Sequence, residues 1–143
     1  MSKSQSRNKI SVRDVEAIAA KLSARDNFYT NGAMRGVAFY PGLTHGLPTI
    51  GEDFAMRIDS RLPQFVIDAC KSHRVAFMVY DYDTPIAWLA APATETHPYI
   101  WVVPNVKYST VTSRHQNTLR KALASINKRS LASTNYTTYW TEQ

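Results

Sequence analysis

Val75-Ala-Phe-Met-Val-Tyr-Asp-Tyr-Asp-Thr-Pro-Ile-Ala-Trp-Leu-Ala90 is the stretch on which the fold turns. Val75 to Tyr80 is apolar at every position, so a strand built from it needs cover on both faces and belongs at the centre of a sheet. Asp81-Tyr-Asp-Thr84 then has the composition of a turn, and Ile86 to Ala90 reads as a second strand. Asp81 and Asp83 are expected to serve that turn through side-chain hydrogen bonds to the backbone rather than to hold a metal. A polar link, Thr94 to Pro98, leads to a third strand, Tyr99-Ile-Trp-Val-Val103. Three short sequential strands with short links form an antiparallel meander, with Pro85 and Pro104 at strand ends where a missing N–H does least harm. Strand alternation groups Trp88 with Ile86 and Ala90, and Trp101 with Tyr99 and Val103. Both indoles are therefore expected in the core, leaving Tyr80, Tyr82 and Tyr108 as the accessible rings.

Helices flank the meander. Ser11-Val-Arg-Asp14 has capping-box spacing, and Val12, Val15, Ile18, Ala19 and Leu22 recur at helical period, predicting a helix over 12–24. Asn31-Gly32 between β-prone runs predicts a tight hairpin over 27–40, with positive φ at its turn. Pro41, Gly42, Gly46, Pro48 and Gly51 mark residues 41–60 as a long surface loop. A second helix is expected over 62–73, with Pro63 in its first turn and Phe65, Val66, Ala69 and Cys70 inward. Ser113-Arg-His-Gln116 repeats the capping-box spacing before Leu119, Ala122, Leu123 and Ile126, predicting a third helix over 113–127. The expected fold is thus a small single α+β domain, an antiparallel sheet with about three helices. Residues 1–10 are expected as a flexible basic arm, 11–129 as the domain, and 130–143 as a polar tail, either loose or supplying an edge strand through Tyr136 to Trp140.

Composition fits one core: of 143 residues, 44% are apolar and 20% charged. No uninterrupted apolar run exceeds six residues, far short of the ~20 a membrane-spanning helix needs. A single cysteine, Cys70, excludes an internal disulfide and a multi-cysteine zinc site; on an apolar helix face with no adjacent base, it reads as core. The polar, basic N-terminus has no apolar segment behind it that would serve as a secretion signal. The net charge of +6 is unevenly placed: residues 1–13 carry +4, residues 14–106 carry −3 and residues 107–143 carry +5. Two basic ends on a mildly acidic body suit an anionic polymer.

Tyr80-Asp-Tyr-Asp-Thr-Pro-Ile-Ala-Trp88, Trp101-Val-Val-Pro-Asn-Val-Lys-Tyr-Ser109 and Thr112-Ser-Arg-His-Gln116 together resemble an uncharacterised family of small proteins of actinobacterial tailed phages and bacteria. The resemblance covers about Val79 to Gln116, and more faintly Phe28 to Pro48. It departs from the family pattern at Asp81, where Ser is usual, at Val111, where Thr is usual, and in a longer link between the tryptophan strands. It implies a phage-type setting, hence the cytoplasm of the host bacterial cell, and it carries no known activity.

Lys107, Tyr108, Ser109, Thr112, Ser113, Arg114, His115, Arg120 and Lys121 form the densest polar and basic group, gathered about a predicted helix N-terminus whose N–H groups and dipole favour an anion. They are the expected nucleic-acid or anion-binding residues. Capping alone would account for Ser113 and Gln116. None of His45, His73, His97 and His115 has metal-ligand spacing, and no phosphate-cradling Gly-rich motif is present, so no cofactor and no metal are expected. The expected function is a non-enzymatic accessory protein that binds nucleic acid. Two alternatives stay open: a host-takeover or defence-blocking protein whose partner is a host protein, and a nuclease using His45 and His115.

Overall fold

The structure is a computed structural model describing residues 8–39, 59–72, 74–92, 94, 96–105, 109–133 and 135–141. Among these residues, eight strands form one sheet in the order β1-β2-β3-β4-β5-β6-β8-β7. They are β1 (Lys9–Ile10), β2 (Phe28–Thr30), β3 (Met34–Ala38), β4 (Val75–Asp81), β5 (Thr84–Ala90), β6 (Ile100–Pro104), β7 (Arg129–Ala132) and β8 (Tyr136–Trp140). Only the β1–β2 pair is parallel. Three helices among the described residues, α1 (Val15–Ala24), α2 (Gln64–Lys71) and α3 (Thr110–Ile126), pack on this sheet in a small α+β domain.

The central meander stands as its apolar pattern requires, with β4 buried from Val75 to Val79 and both meander tryptophans nearly inaccessible. Alternate side chains of these strands enter two separate cores. On one face, Ile18 and Leu22 of α1 and Leu119 and Leu123 of α3 pack over Phe28, Met34, Phe77, Val79, Leu89, Trp101 and Tyr139. On the other, Leu62 and the Val66, Ala69 and Cys70 of α2 cover Val75, Met78, Trp88, Ile100, Val102, Tyr136 and Trp140. Each fully buried Leu, Ile or Phe contributes about 1.5–3 kcal/mol, so both faces reward this patterning. The backbone N–H of Asp59 donates to the Tyr136 hydroxyl, anchoring the lead into α2 on β8. Because α2 covers only the β4 to β8 half of its face, the β1 to β3 half of that face carries partly exposed side chains.

Several local expectations shift. α1 begins at Val15, not residue 12: the Asp14 carboxylate accepts the Ala17 N–H at 3.0 Å, while the Ser11 hydroxyl accepts from Arg13 in a preceding turn. α3 begins earlier than residue 113, at Thr110, because Ser109 Oγ accepts the Thr112 N–H. The hairpin turn spans Asn31 to Ala33 without left-handed backbone; Asn31 Oδ1 accepts the Val12 N–H and Thr30 Oγ1 accepts that of Gly32. Left-handed φ occurs instead at Arg25 (55°) and Tyr82 (56°). Lys9 and Ile10, expected in the free arm, pair with Tyr29 and Thr30. Tyr136–Trp140 is an inner strand, since Arg129–Ala132 adds the edge strand beyond it. The expected loop lies, up to residue 58, outside the described residues. The β4–β5 ladder shifts register at Val79 and Tyr80, opposite Pro85, which has no N–H to give.

α1 and α3 run parallel. Val12, Gly32 and His115 meet near their N-terminal ends, while Leu22, Arg25, Ile126 and Asn127 line one cavity at their C-terminal ends.

Candidate nucleic-acid interface

α3 distributes the expected anion-binding residues in several directions. Lys107 and Tyr108 lie outside the described residues. Ser109 is spent as the helix cap, and its hydroxyl also donates to Thr112 Oγ1, which is buried. Ser113 is half-buried and hydrogen-bonded or in contact elsewhere. Arg114 and Lys121, seven positions apart, share the exposed outer surface of a helix that contains no acidic residue. Arg120 turns aside, donating to Asn105 Oδ1 at 3.1 Å and Asn117 Oδ1 at 3.2 Å. Asn105 in turn donates to the Ser133 carbonyl, so Arg120 helps bind α3 to the β6–β8 end of the sheet.

His115 points inward. Its Nδ1–H donates to Asp81 Oδ1 at 2.8 Å, and the Asp81 side chain is wholly inaccessible. Asp81 is therefore the inward-facing end of β4, not a turn residue as its sequence context suggests. Its second oxygen, Oδ2, has no hydrogen-bond partner among the described residues. Gln116, 2% exposed, donates to the Ile86 and Pro104 carbonyls and so serves the ends of two strands. The Thr-Ser-Arg-His-Gln motif thus supplies mostly internal hydrogen bonds. His45 lies outside the described residues, and no three metal-ligating side chains cluster among those described.

A different group converges on the half of the sheet that α2 leaves uncovered. Lys9 pairs with Tyr29, Tyr29 with Arg35, and Arg35 with Tyr80. Directly paired residues share a face, so these four form a row across β1, β2, β3 and β4, cation and ring in alternation. Their strand neighbours point the other way: Phe28, Thr30, Met34, Gly36 and Val79 are buried beneath α1 and α3. Tyr29 is 40% exposed and the Arg35 side chain 44%. Lys9 is exposed and Tyr80 half-buried. The Arg35 guanidinium lies 4.3 Å from the Tyr80 ring centroid, a stacked cation–π contact, and 3.7 Å from the fully exposed Asp83 carboxylate. In water that exposed ion pair is worth at most about 1 kcal/mol and leaves Arg35 available to an anion.

Tyr82 rises at the end of the row, 63% exposed, on left-handed backbone that costs a tyrosine about 1–2 kcal/mol. Its N–H donates to the Ala33 carbonyl, which fixes the β4–β5 turn against the β2–β3 turn. Tyr80 and Tyr82 were expected to have access to solvent; Lys9, Tyr29 and Arg35 emerge only from strand pairing. The signal for them was the alternation in Phe28-Tyr29-Thr30 and Met34-Arg35-Gly36, whose odd members fall on the polar phase.

No helix among the described residues is long and apolar enough to cross a membrane. Comparison of the chain with models of known families, with curated proteins and with solved structures gives no match.

Proposed function

We propose that this is a non-enzymatic accessory protein that binds single-stranded nucleic acid on the half of its sheet that α2 does not cover. The observation that carries the reading is the row Lys9, Tyr29, Arg35 and Tyr80. Partly exposed rings on a sheet face receive unstacked bases, each stacked base being worth about 1–3 kcal/mol, while interleaved cations meet the phosphates. Duplex bases are already stacked and cannot use the rings. Arg114 and Lys121, on the opposite side of the sheet, add long-range attraction for a polyanion without reading it. The resemblance to phage proteins supports the cytoplasm of a host bacterium as the setting for this activity.

Titration of single-stranded and duplex oligonucleotides of mixed sequence across a salt series tests the proposal. Single strands are expected to bind more tightly than duplex, and Tyr29→Ala or Tyr80→Ala to weaken them roughly 5- to 150-fold per ring. Lys9→Gln and Arg35→Gln should each flatten the slope of log affinity against log salt by about 0.7. Equal affinity for duplex, unaffected by the tyrosine changes, would overturn the proposal. So would no binding at low salt, in which case capture of a host protein with an acidic surface becomes the leading reading.

A further inference from the structure

The C-terminal ends of α1 and α3 border a half-open cavity of about 270 Å³ that the row of rings and cations does not use. Its floor is apolar: Leu22, Leu89 and Trp101 are each 4% exposed or less. Tyr99 and Ile126, half-buried, form the walls, and Arg25 stands at the mouth. Arg25 occupies the helix cap in left-handed backbone, where glycine or asparagine is usual, and its guanidinium sits 3.7 Å from the Tyr99 ring centroid. Among the described residues no carboxylate is paired with it.

We propose that this pocket binds a small aromatic carboxylate, with the ring against Leu22, Leu89 and Trp101 and the carboxylate on Arg25. Size supports an aromatic body: a dry cavity of about 150 Å³ holds benzene, so this one admits a ring or fused ring pair with a short acid arm. Charge selects the acid. The guanidinium is a planar fork that matches a carboxylate with two parallel hydrogen bonds, and stacking on Tyr99 holds it in place. Two helix C-termini nearby would favour a cation, but several of their last carbonyls are engaged internally. Lys21 and Leu22 accept from the N–H groups of Asp26 and Arg25, and Leu123 accepts from the Asn127 amide. The dipole effect that remains is screened in an open site and falls off within a turn, whereas the guanidinium touches the ligand directly.

Calorimetric titration of the full chain with indole-3-acetate, neutral indole-3-acetamide and cationic tryptamine tests this. The expected result is one saturable site for indole-3-acetate, at least tenfold tighter than for the amide. Arg25→Gln should bring the acetate down to the amide's affinity while leaving the amide unchanged, with an unaltered melting temperature showing that the fold is intact. Arg25→Gly, which relieves the left-handed strain, should raise the melting temperature yet lose the same preference. Tryptamine binding as tightly as the acetate, an acetate affinity unmoved by Arg25→Gln, or no saturation by any of the three at millimolar concentration would each overturn the proposal.

Discussion

Asp81 and His115 show how far a residue's role depends on what faces it. A carboxylate with no accessible surface and one unpartnered oxygen is costly to bury, and the imidazole Nδ1–H is its one hydrogen-bond donor among the described residues. His115→Ala should therefore lower unfolding stability by about 3–5 kcal/mol, a large share of the roughly 5–15 kcal/mol usual for a domain. Asp81→Ser removes the buried charge itself and should cost less, and the double variant less than the sum of the two singles. Urea denaturation checks this; a loss under about 1 kcal/mol for His115→Ala would show that the pair carries little. Cys70 is governed by burial alone, which pushes its thiol up to about 12. The folded state thus holds this proton more tightly than the unfolded chain. Stability from this group is complete below pH 9, the ordinary thiol value, and declines as pH rises toward 12, by at most ~1.4 kcal/mol per pH unit. Burial raises Tyr136 and Tyr139 in the same direction, so the Cys70 share is the difference between the native chain and Cys70→Ala in denaturation at pH 8 and pH 10.5. Iodoacetamide should leave the native thiol unmodified at pH 8 and label it in urea.

At the scale of elements, the meander was legible because continuous apolar runs and alternating tryptophans leave few other arrangements. Helix existence was legible for the same reason, whereas both long helices start three residues away from the starts expected at 12 and 113. Ser, Thr and Asp recur at these junctions, and the residue that caps is the one that packing places over the free N–H groups, not the one with the best spacing. β1 and β7 were illegible: at two and four residues, they carry too little pattern and exist because a neighbouring edge offers hydrogen bonds. Gly36 belongs to this scale as well. A Cβ there would lie 2.3 Å from a Phe28 ring carbon and 2.7 Å from one of Phe77. Those rings stack 6.4 Å apart beneath α1, with no room to yield. Gly36→Ala should cost about 1–3 kcal/mol through overpacking, read as a fall in denaturation midpoint at unchanged slope. Gly32→Ala, whose added Cβ finds its nearest neighbour at 3.8 Å, is the tolerant control.

Across the whole molecule, the two basic ends take separate places. Lys9 sits on one edge strand and Arg129 on the other, roughly 34 Å apart at the usual strand spacing. Arg114 and Lys121 occupy the helical face behind the sheet from Tyr29 and Arg35. Net charge read from the chain therefore located basicity without showing that Lys9, far from Arg35 and Tyr80 in sequence, would stand in line with them. That alignment depends on a three-residue turn, Asn31 to Ala33, and on pairing β3 with β4, which lie far apart in sequence with α2 between them, neither of which local patterning specifies. The most direct test is an NMR titration of isotopically labelled protein with a single-stranded oligonucleotide, following every assigned backbone and ring resonance. Shift changes centred on Lys9, Tyr29, Arg35, Tyr80 and Tyr82 are expected; changes confined to the Arg114 and Lys121 surface of α3, or none at saturating oligonucleotide, would contradict a binding face on the sheet.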